Sequence, residues 1–310
     1  MRAFIFPGQG SQAVGMGKAL AEASRAARDV FQEVDEALGQ NLFRLMCEGP
    51  VEDLTLTENA QPAIMANAIA TLRVLEREGG VRLAEKAEFV AGHSLGEYTA
   101  LCAAEALDLT TTAKLLKLRG QAMQAAVPVG QGAMAAILKL DFDVVAKIAD
   151  EAARGEICAV ANDNAPGQVV LSGHKAAIDR ASELVKAAGG RAMPLPVSAP
   201  FHCPLMQPAA DAMQDALGTA NLRSPLVPVF ANVTAAPVAD PDEVRRLLVA
   251  QVTGTVRWRQ SVLAMQEAGV HHFIEFGGKV LGPMIKRIAP DAETVSIVSM
   301  DDIEALAKSL

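Results

Sequence analysis

The sequence predicts an α/β protein: a large subdomain with a parallel sheet, carrying a smaller inserted subdomain. Three observations predict it. Short apolar runs at 2–6, 89–91 and 271–276 alternate with longer stretches of helical periodicity, the rhythm of units that build a parallel sheet. The stretch F-V-A-G-H-S-L-G-E-Y at 89–98 reads as strand, tight turn and helix, with Ser94 at the apex. Between Pro128 and Val197 the elements follow the order βαββαβ, the ferredoxin-like unit. We expect the large subdomain to span 1–128 and 198–310 and the ferredoxin-like one 129–197, with a ligand cleft between them.

Taken in order, Arg-Ala-Phe-Ile-Phe at 2–6 is apolar enough for a buried strand, and Pro7-Gly8-Gln9-Gly10-Ser11-Gln12 ends it. Residues 13–38 carry one apolar face (Leu20, Ala27, Val30, Phe31, Val34) and predict a single helix. Phe43, Leu45 and Met46 predict a short one. The run T-E-N-A-Q-P at 57–62 is a helix start with proline in the first turn, and Gly79-Gly80 stops that helix. The elbow strand and its helix follow, then a helix over about 110–126. In the small subdomain we expect strands at 133–138, 157–161, 168–172 and 191–197, helices at 142–153 and 175–188, and a turn at Asn162-Asp163-Asn164-Ala165-Pro166-Gly167. The chain then returns through a loop held between Pro200 and Pro204. Helices at 207–217, 243–251 and 260–268, strands at 227–231, 271–276 and 295–298, and a helix opened by Gly277-Gly278 complete the large part.

Bulk properties exclude several classes. At 310 residues the chain can bury a large core. A net charge of −8 disfavours a nucleic-acid or anionic-membrane binder. Cys47, Cys102, Cys158 and Cys203 form no C-x-x-C pair, so buried free thiols are expected in place of a zinc site or disulfides. The apolar run at 3–6 is too short for a signal peptide, and no run approaches a membrane span. The expectation is a cytoplasmic protein.

Chemistry concentrates on Ser94. Gly92 and Gly96 let strand and helix pass close together, the turn pushes Oγ outward, and the N–H of Leu95 sits at a helix N-terminus where negative charge is favoured. A serine nucleophile needs a base. His93 is next to Ser94 on a tight turn, so its side chain should diverge from Oγ and support the site. His174 caps a surface helix; His271 and His272 read as packing residues of a strand. His202, in the proline-bounded loop where the chain returns to the cleft, is the base we expect. No strand-end carboxylate stands out between Ser94 and His202, so the pattern favours a dyad over a triad. Arg119 lies among apolar Leu115, Leu116, Leu118 and Met123 and needs an acceptor: a structural carboxylate elsewhere in the chain, or the carboxylate of a ligand. The 7–12 loop lacks the lysine and spacing of a nucleotide loop and is either an ordinary turn or a ligand-facing backbone.

With these residues in place the chain resembles the malonyl-CoA:acyl carrier protein transacylase family over nearly its whole length. The resemblance rests on F-P-G-Q-G-S-Q at 6–12, G-H-S-L-G-E-Y at 92–98, Leu118-Arg119-Gly120, G-A-M-A-A at 132–136, the N-x-P-G-Q-V-V pattern at 164–170, P-F-H at 200–202, Gln251 and G-x-V-L at 278–281. It departs from the family pattern at Phe201, where some bacterial members have serine, at Gly254-Thr255 and at Gly277-Gly278. The resemblance implies an α/β-hydrolase-like large subdomain and transfer of malonyl from malonyl-CoA to the phosphopantetheine thiol of acyl carrier protein. Ser94 is then the nucleophile and His202 the base, with its ring held by the main-chain carbonyl of Gln251. The N–H groups of Gln9 and Leu95 form the oxyanion hole, Arg119 forks the malonyl carboxylate, and Phe201 sorts malonyl from methylmalonyl. His93 and Asn162 lie near the cleft by analogy. No cofactor, metal, nucleic acid or membrane is implied, and a monomer is expected. Other readings are a free-standing acyltransferase serving a polyketide synthase, a serine esterase or thioesterase, and a non-catalytic carrier-binding partner of a larger synthase.

Overall fold

Ten strands fall into two sheets in the computed structural model, which describes residues 1–310: β1 (Arg2–Phe6), β2 (Phe89–Gly92), β3 (Gly132–Leu138), β4 (Cys158–Ala165), β5 (Gln168–His174), β6 (Arg191–Pro194), β7 (Val229–Ala231), β8 (Ala236–Val238), β9 (His272–Phe276) and β10 (Glu293–Ile297). The larger sheet has the order β10-β9-β1-β2-β7-β8 and is parallel except for β8 at its edge. Its central strands are apolar on both faces because both are covered. In β1, Phe4 and Phe6 enter a core of 63 buried residues built with helices Arg25–Leu38, Thr57–Arg77, Leu95–Ala103 and Leu109–Ala125. Ala3 and Ile5 enter a second core of 14 around Trp258, Phe273 and Ile285 on the opposite face.

Parallel strands end on the same side of the sheet. Phe6 pairs with Gly92, so the loop after β1 and the elbow after β2 emerge side by side, and β7 delivers Asn232 next to them. That carboxyl-end edge is where open α/β sheets hold ligands.

The smaller sheet is antiparallel with the order β4-β5-β3-β6, the ferredoxin-like arrangement. Helices Phe142–Ala153 and Lys175–Ala187 supply the other half of its core, packing Val145 and Val185 against Ile137 and Leu171. β4 ties the smaller sheet to the rest of the chain at the segment that leads into helix Trp258–Glu267. The Asp163 N–H donates to the Val256 carbonyl at 2.9 Å, the Val256 N–H donates to the Ala161 carbonyl at 2.8 Å, and Arg259 closes on the buried Asp163 carboxylate at 2.9 Å.

The structure corrects several expectations. Residues 13–38 are not one helix: Lys18–Ala23 and Arg25–Leu38 are separated at Ser24, whose hydroxyl accepts from the Ala27 N–H and so starts the second helix. Pro62 lies beyond the first turn of helix Thr57–Arg77. The expected turn at 162–167 is mostly strand, since β4 runs to Ala165 through two register irregularities and only Pro166-Gly167 turns. Tertiary pairing with Val256 overrides the turn preference of Asn162-Asp163-Asn164. β6 stops at Pro194. His271 is exposed and precedes β9, and His272 is only half-buried at its start, so neither packs in the core. His174 is not a free surface group: it accepts the Ile157 N–H at Nδ1. No helix is long and apolar enough to cross a membrane.

Candidate active site

β2 ends at Gly92 and helix Leu95–Ala103 starts three residues later, so Ser94 must take a conformation that few side chains tolerate, φ 54° and ψ −111°. The flanking glycines make that reversal possible. A Cβ on Gly92 would lie 1.9 Å from the Gly96 carbonyl carbon, and one on Gly96 would lie 2.3 Å from the Phe6 oxygen. Asn232 locks the turn, its Oδ1 accepting the Ser94 N–H at 2.8 Å and its Nδ2 donating to the Gly92 carbonyl at 2.7 Å. As the first residue of its helix, Leu95 has no acceptor one turn back for its N–H.

Ser94 Oγ lies 2.8 Å from His202 Nε2, and His202 Nδ1 lies 2.8 Å from the Gln251 main-chain oxygen. A carbonyl only accepts, so Nδ1 carries the proton and Nε2 presents a lone pair to the Ser94 hydroxyl. Burial, then the positive charge of Arg119, push the His202 pKa down to about 3. The ring is therefore neutral at pH 7 and free to take a proton.

Arg119 is 1% exposed, and no carboxylate of the chain pairs with it. Its Nη1 donates to Gln61 Oε1 at 2.7 Å, and its Nη2 donates to Gln251 Oε1 at 2.8 Å and to Ser94 Oγ at 3.1 Å. Its Nε has no partner, and the guanidinium lies 5.5 Å from the centre of the Tyr98 ring. Of the two acceptors left open by the sequence, the carboxylate within the chain is absent: the chain supplies amides and a hydroxyl, but no counter-charge in contact. The nearest carboxylate is one amide away. Glu97, also 1% exposed, accepts from Gln251 Nε2 at 2.7 Å and from the Asn232 N–H at 3.1 Å. Burial raises its pKa to about 7 against those hydrogen bonds and the pull of Arg119.

His93 turns away from Ser94, as its position on the turn requires. Its Nε2 lies 2.8 Å from Asn164 Oδ1, its ring 5.9 Å from that of Trp258, and burial lowers its pKa. A cavity of about 260 Å³ gathers Gln9, His93, Ser94, Leu95, Arg119, Asn162, Phe201 and His202 on one wall system. Gln251 lies beneath it. A second cavity of about 600 Å³ shares Gln9, Thr57, Met134, Leu195 and Phe201 with the first and opens between the smaller sheet and the start of helix Thr57–Arg77. The structure brings Gln9, His93, Ser94, Leu95, Arg119, Asn162, Phe201 and His202 to this cavity, with Gln251 bonded to His202 and Arg119; His174, His271 and His272 lie elsewhere.

The sequence reading missed Thr57, Gln61, Glu97, Asn164 and Asn232. Glu97 and Asn232 carried a usable signal: one is a carboxylate in the first turn of the elbow helix, the other a polar residue just past a central parallel strand, and both positions are otherwise buried.

Comparison with known proteins identifies the family. The pattern of the acyl transferase domain matches residues 3–278. A malonyl CoA-acyl carrier protein transacylase of Escherichia coli (strain K12) is 44% identical over 310 residues, covering 99% of this chain and 98% of that one. The crystal structure of an acyl-carrier-protein-S-malonyltransferase from Bartonella henselae superposes with a TM-score of 0.97 at 50% identity, covering 99% of this chain and 98% of that one. A malonyl-transacylase solved in complex with its type II PKS acyl-carrier protein has a TM-score of 0.96 at 38% identity, covering 100% of this chain and 99% of its own. The chain belongs to the acyl transferase domain family, among the malonyl CoA-acyl carrier protein transacylases.

Proposed function

We propose that this enzyme moves a malonyl group from malonyl-CoA to the phosphopantetheine thiol of acyl carrier protein, through an ester on Ser94, in fatty acid synthesis. The observation that carries the reading is Arg119: a buried guanidinium with no carboxylate of its own, 3.1 Å from Ser94 Oγ. Burying an uncompensated charge costs several kcal/mol, and a ligand carboxylate offsets that cost beside the nucleophile.

In the first half-reaction Arg119 takes the malonyl carboxylate and sets the thioester carbonyl over Ser94. His202 accepts the hydroxyl proton as Oγ attacks. The oxyanion rests on the N–H groups of Gln9 and Leu95, where losing one donor typically costs roughly a hundred- to a thousandfold in rate. The tetrahedral intermediate collapses, the C–S bond breaks, and His202 returns the proton to the coenzyme A thiolate. The carrier thiol then gives its proton to His202 and attacks the malonyl ester; the ester C–O bond breaks, His202 returns the proton to Ser94 Oγ, and the malonyl group leaves as a thioester on the carrier, a ping-pong cycle. Phe201 bounds the acyl pocket beside the α-carbon. His93 and Asn162 shape the wall that joins the small sheet, and residues 129–197 serve as the inserted subdomain. No cofactor takes part, and the chain works in the cytoplasm as a monomer.

The neutral partner of His202 Nδ1 favours transfer over hydrolysis, since the acid that completes a hydrolase triad has a carbonyl in its place. The relative bound to a type II PKS carrier supports a second pathway for the same chemistry, and transfer rates to the two kinds of carrier separate them. The central test is intact-mass analysis after incubation with malonyl-CoA. The native chain should gain one malonyl group, Ser94→Ala none, and Arg119→Ala should lose its preference for malonyl over acetyl. An adduct on Ser94→Ala, or unchanged discrimination in Arg119→Ala, would refute the assignment.

A further inference from the structure

Thr57 and Gln61 have no part in the cycle above, yet both are buried, at 4% and 2% exposure, in the first turns of helix Thr57–Arg77. They stand in a single line of hydrogen bonds. Arg119 Nη1 donates to Gln61 Oε1 at 2.7 Å, Gln61 Nε2 donates to Thr57 Oγ1 at 2.9 Å, and Thr57 Oγ1 donates to Gln9 Oε1 at 3.2 Å. Chemistry fixes the direction of this line. A guanidinium has donors only, so the Gln61 amide turns its oxygen to Arg119 and its NH₂ to Thr57. The Thr57 oxygen then accepts, and its one proton goes to Gln9. Out of water, such a chain is polarised from its charged end.

The far end of the line is the loop after β1. Gln9 is exposed, and the loop's other side-chain bonds are local: the Gly10 N–H to Gln12 Oε1 at 2.7 Å, and Ser11 Oγ to the Gly8 carbonyl at 2.9 Å. Thr57 is the residue that ties the Gln9 side chain to the buried core. The near end is held by backbone contact: a Cβ on Gly120 would lie 2.5 Å from Glu58 Cα and 2.7 Å from the Thr57 oxygen, so the helix that carries Arg119 rests on the turn that carries Thr57.

We propose that Gln61 and Thr57 are positioning residues that anchor the loop bearing the Gln9 oxyanion donor to the guanidinium that reads the acyl carboxylate. The inference rests on the roles given above to Arg119 and Gln9. Its consequence is that recognition of the carboxylate and alignment of the oxyanion donor are one coupled property, expressed in kcat more than in KM.

A double-mutant cycle tests it. Thr57→Val keeps the shape and removes both hydrogen bonds; Thr57→Ser keeps the hydroxyl. Each is made alone and with Arg119→Ala, and transfer to carrier protein is followed with malonyl-CoA and, for the Arg119→Ala pair, with acetyl-CoA as well. We expect Thr57→Val to lower kcat roughly three- to tenfold, the range for losing the one bond that reaches the Gln9 loop, with KM within twofold. Thr57→Ser should recover the rate, and Thr57→Val should cost less than twofold once Arg119 is gone. A native kcat in Thr57→Val, or the same fold-loss with and without Arg119, overturns the coupling. Failure of the transfer reading is distinguishable, because it appears as malonylation of Ser94→Ala or as unchanged selectivity of Arg119→Ala alone.

Discussion

At the scale of single residues, His202 is set by its surroundings. Burial and Arg119 hold its pKa near 3, against 6.5 for a free imidazole. In the free enzyme the acidic limb of kcat/KM should therefore lie below the ordinary histidine range. On the proposed role of Arg119, a bound malonyl carboxylate offsets that positive charge, so the limb of kcat, which reports the complex, should lie at higher pH than that of kcat/KM. Two pH–rate profiles check this; coincident limbs would contradict it. The same shift acts on stability. Between 6.5 and about 3 the unfolded imidazole binds a proton and the folded one does not, so this group makes stability fall as pH drops through that window. Glu97 acts in the opposite sense between 4.5 and about 7, because its folded form holds the proton longer. His202→Asn should flatten the fall of melting temperature on acidification. Ser94, His202 and Arg119 were legible because each breaks a local pattern: a serine on a glycine turn, a histidine between prolines, an arginine in an apolar helix. Asn232 and Gln61 were not, since an amide beside a strand or in a helix start has many ordinary explanations until its partners are seen.

At the scale of elements, the site depends on helices approaching closer than side chains allow. Helix Leu109–Ala125 crosses the start of helix Thr57–Arg77 at Gly120, where any Cβ meets backbone and not a flexible side chain. Gly120→Ala should destabilise by about 1–3 kcal/mol, the usual cost of overpacking, and should lower kcat by moving Arg119 relative to Gln61. Denaturant midpoints and kinetics on the same preparation check both effects. The alternation of strands and helices was readable from apolar runs and their period, and the boundaries were readable where caps or glycines mark them. The break at Ser24 and the extension of β4 through Asn162-Asp163-Asn164 were not. In the first a cap interrupts an unbroken apolar face, and in the second pairing with a segment more than ninety positions away outweighs local turn preference.

At the scale of the whole molecule, the edge strand β4 of the smaller sheet meets Val256 and helix Trp258–Glu267 along one seam, and the cavity at Ser94 lies beside it. The Asp163 carboxylate is fully buried in that seam and is satisfied by Arg259 through both oxygens at 3.0 Å from Nε. Arg259→Met leaves a buried carboxylate without its partner and should cost about 3–5 kcal/mol. Adding Asp163→Asn should restore much of that, and a thermal-melt comparison of single and double variants decides it. The two-part organisation was legible because a βαββαβ series interrupts a parallel α/β rhythm. The seam itself was not, because nothing in a sequence says which edge of an inserted sheet will face its host.

That seam also governs traffic. β4 is paired to Val256 and clamped by Arg259, and Asn162 of that strand shares one cavity with Ser94. In the proposed cycle two phosphopantetheine arms, one bringing the malonyl thioester on coenzyme A and one bringing the carrier's free thiol, take turns in the same berth. Departure of the first is then a condition for arrival of the second, and free coenzyme A competes for the berth with the incoming carrier.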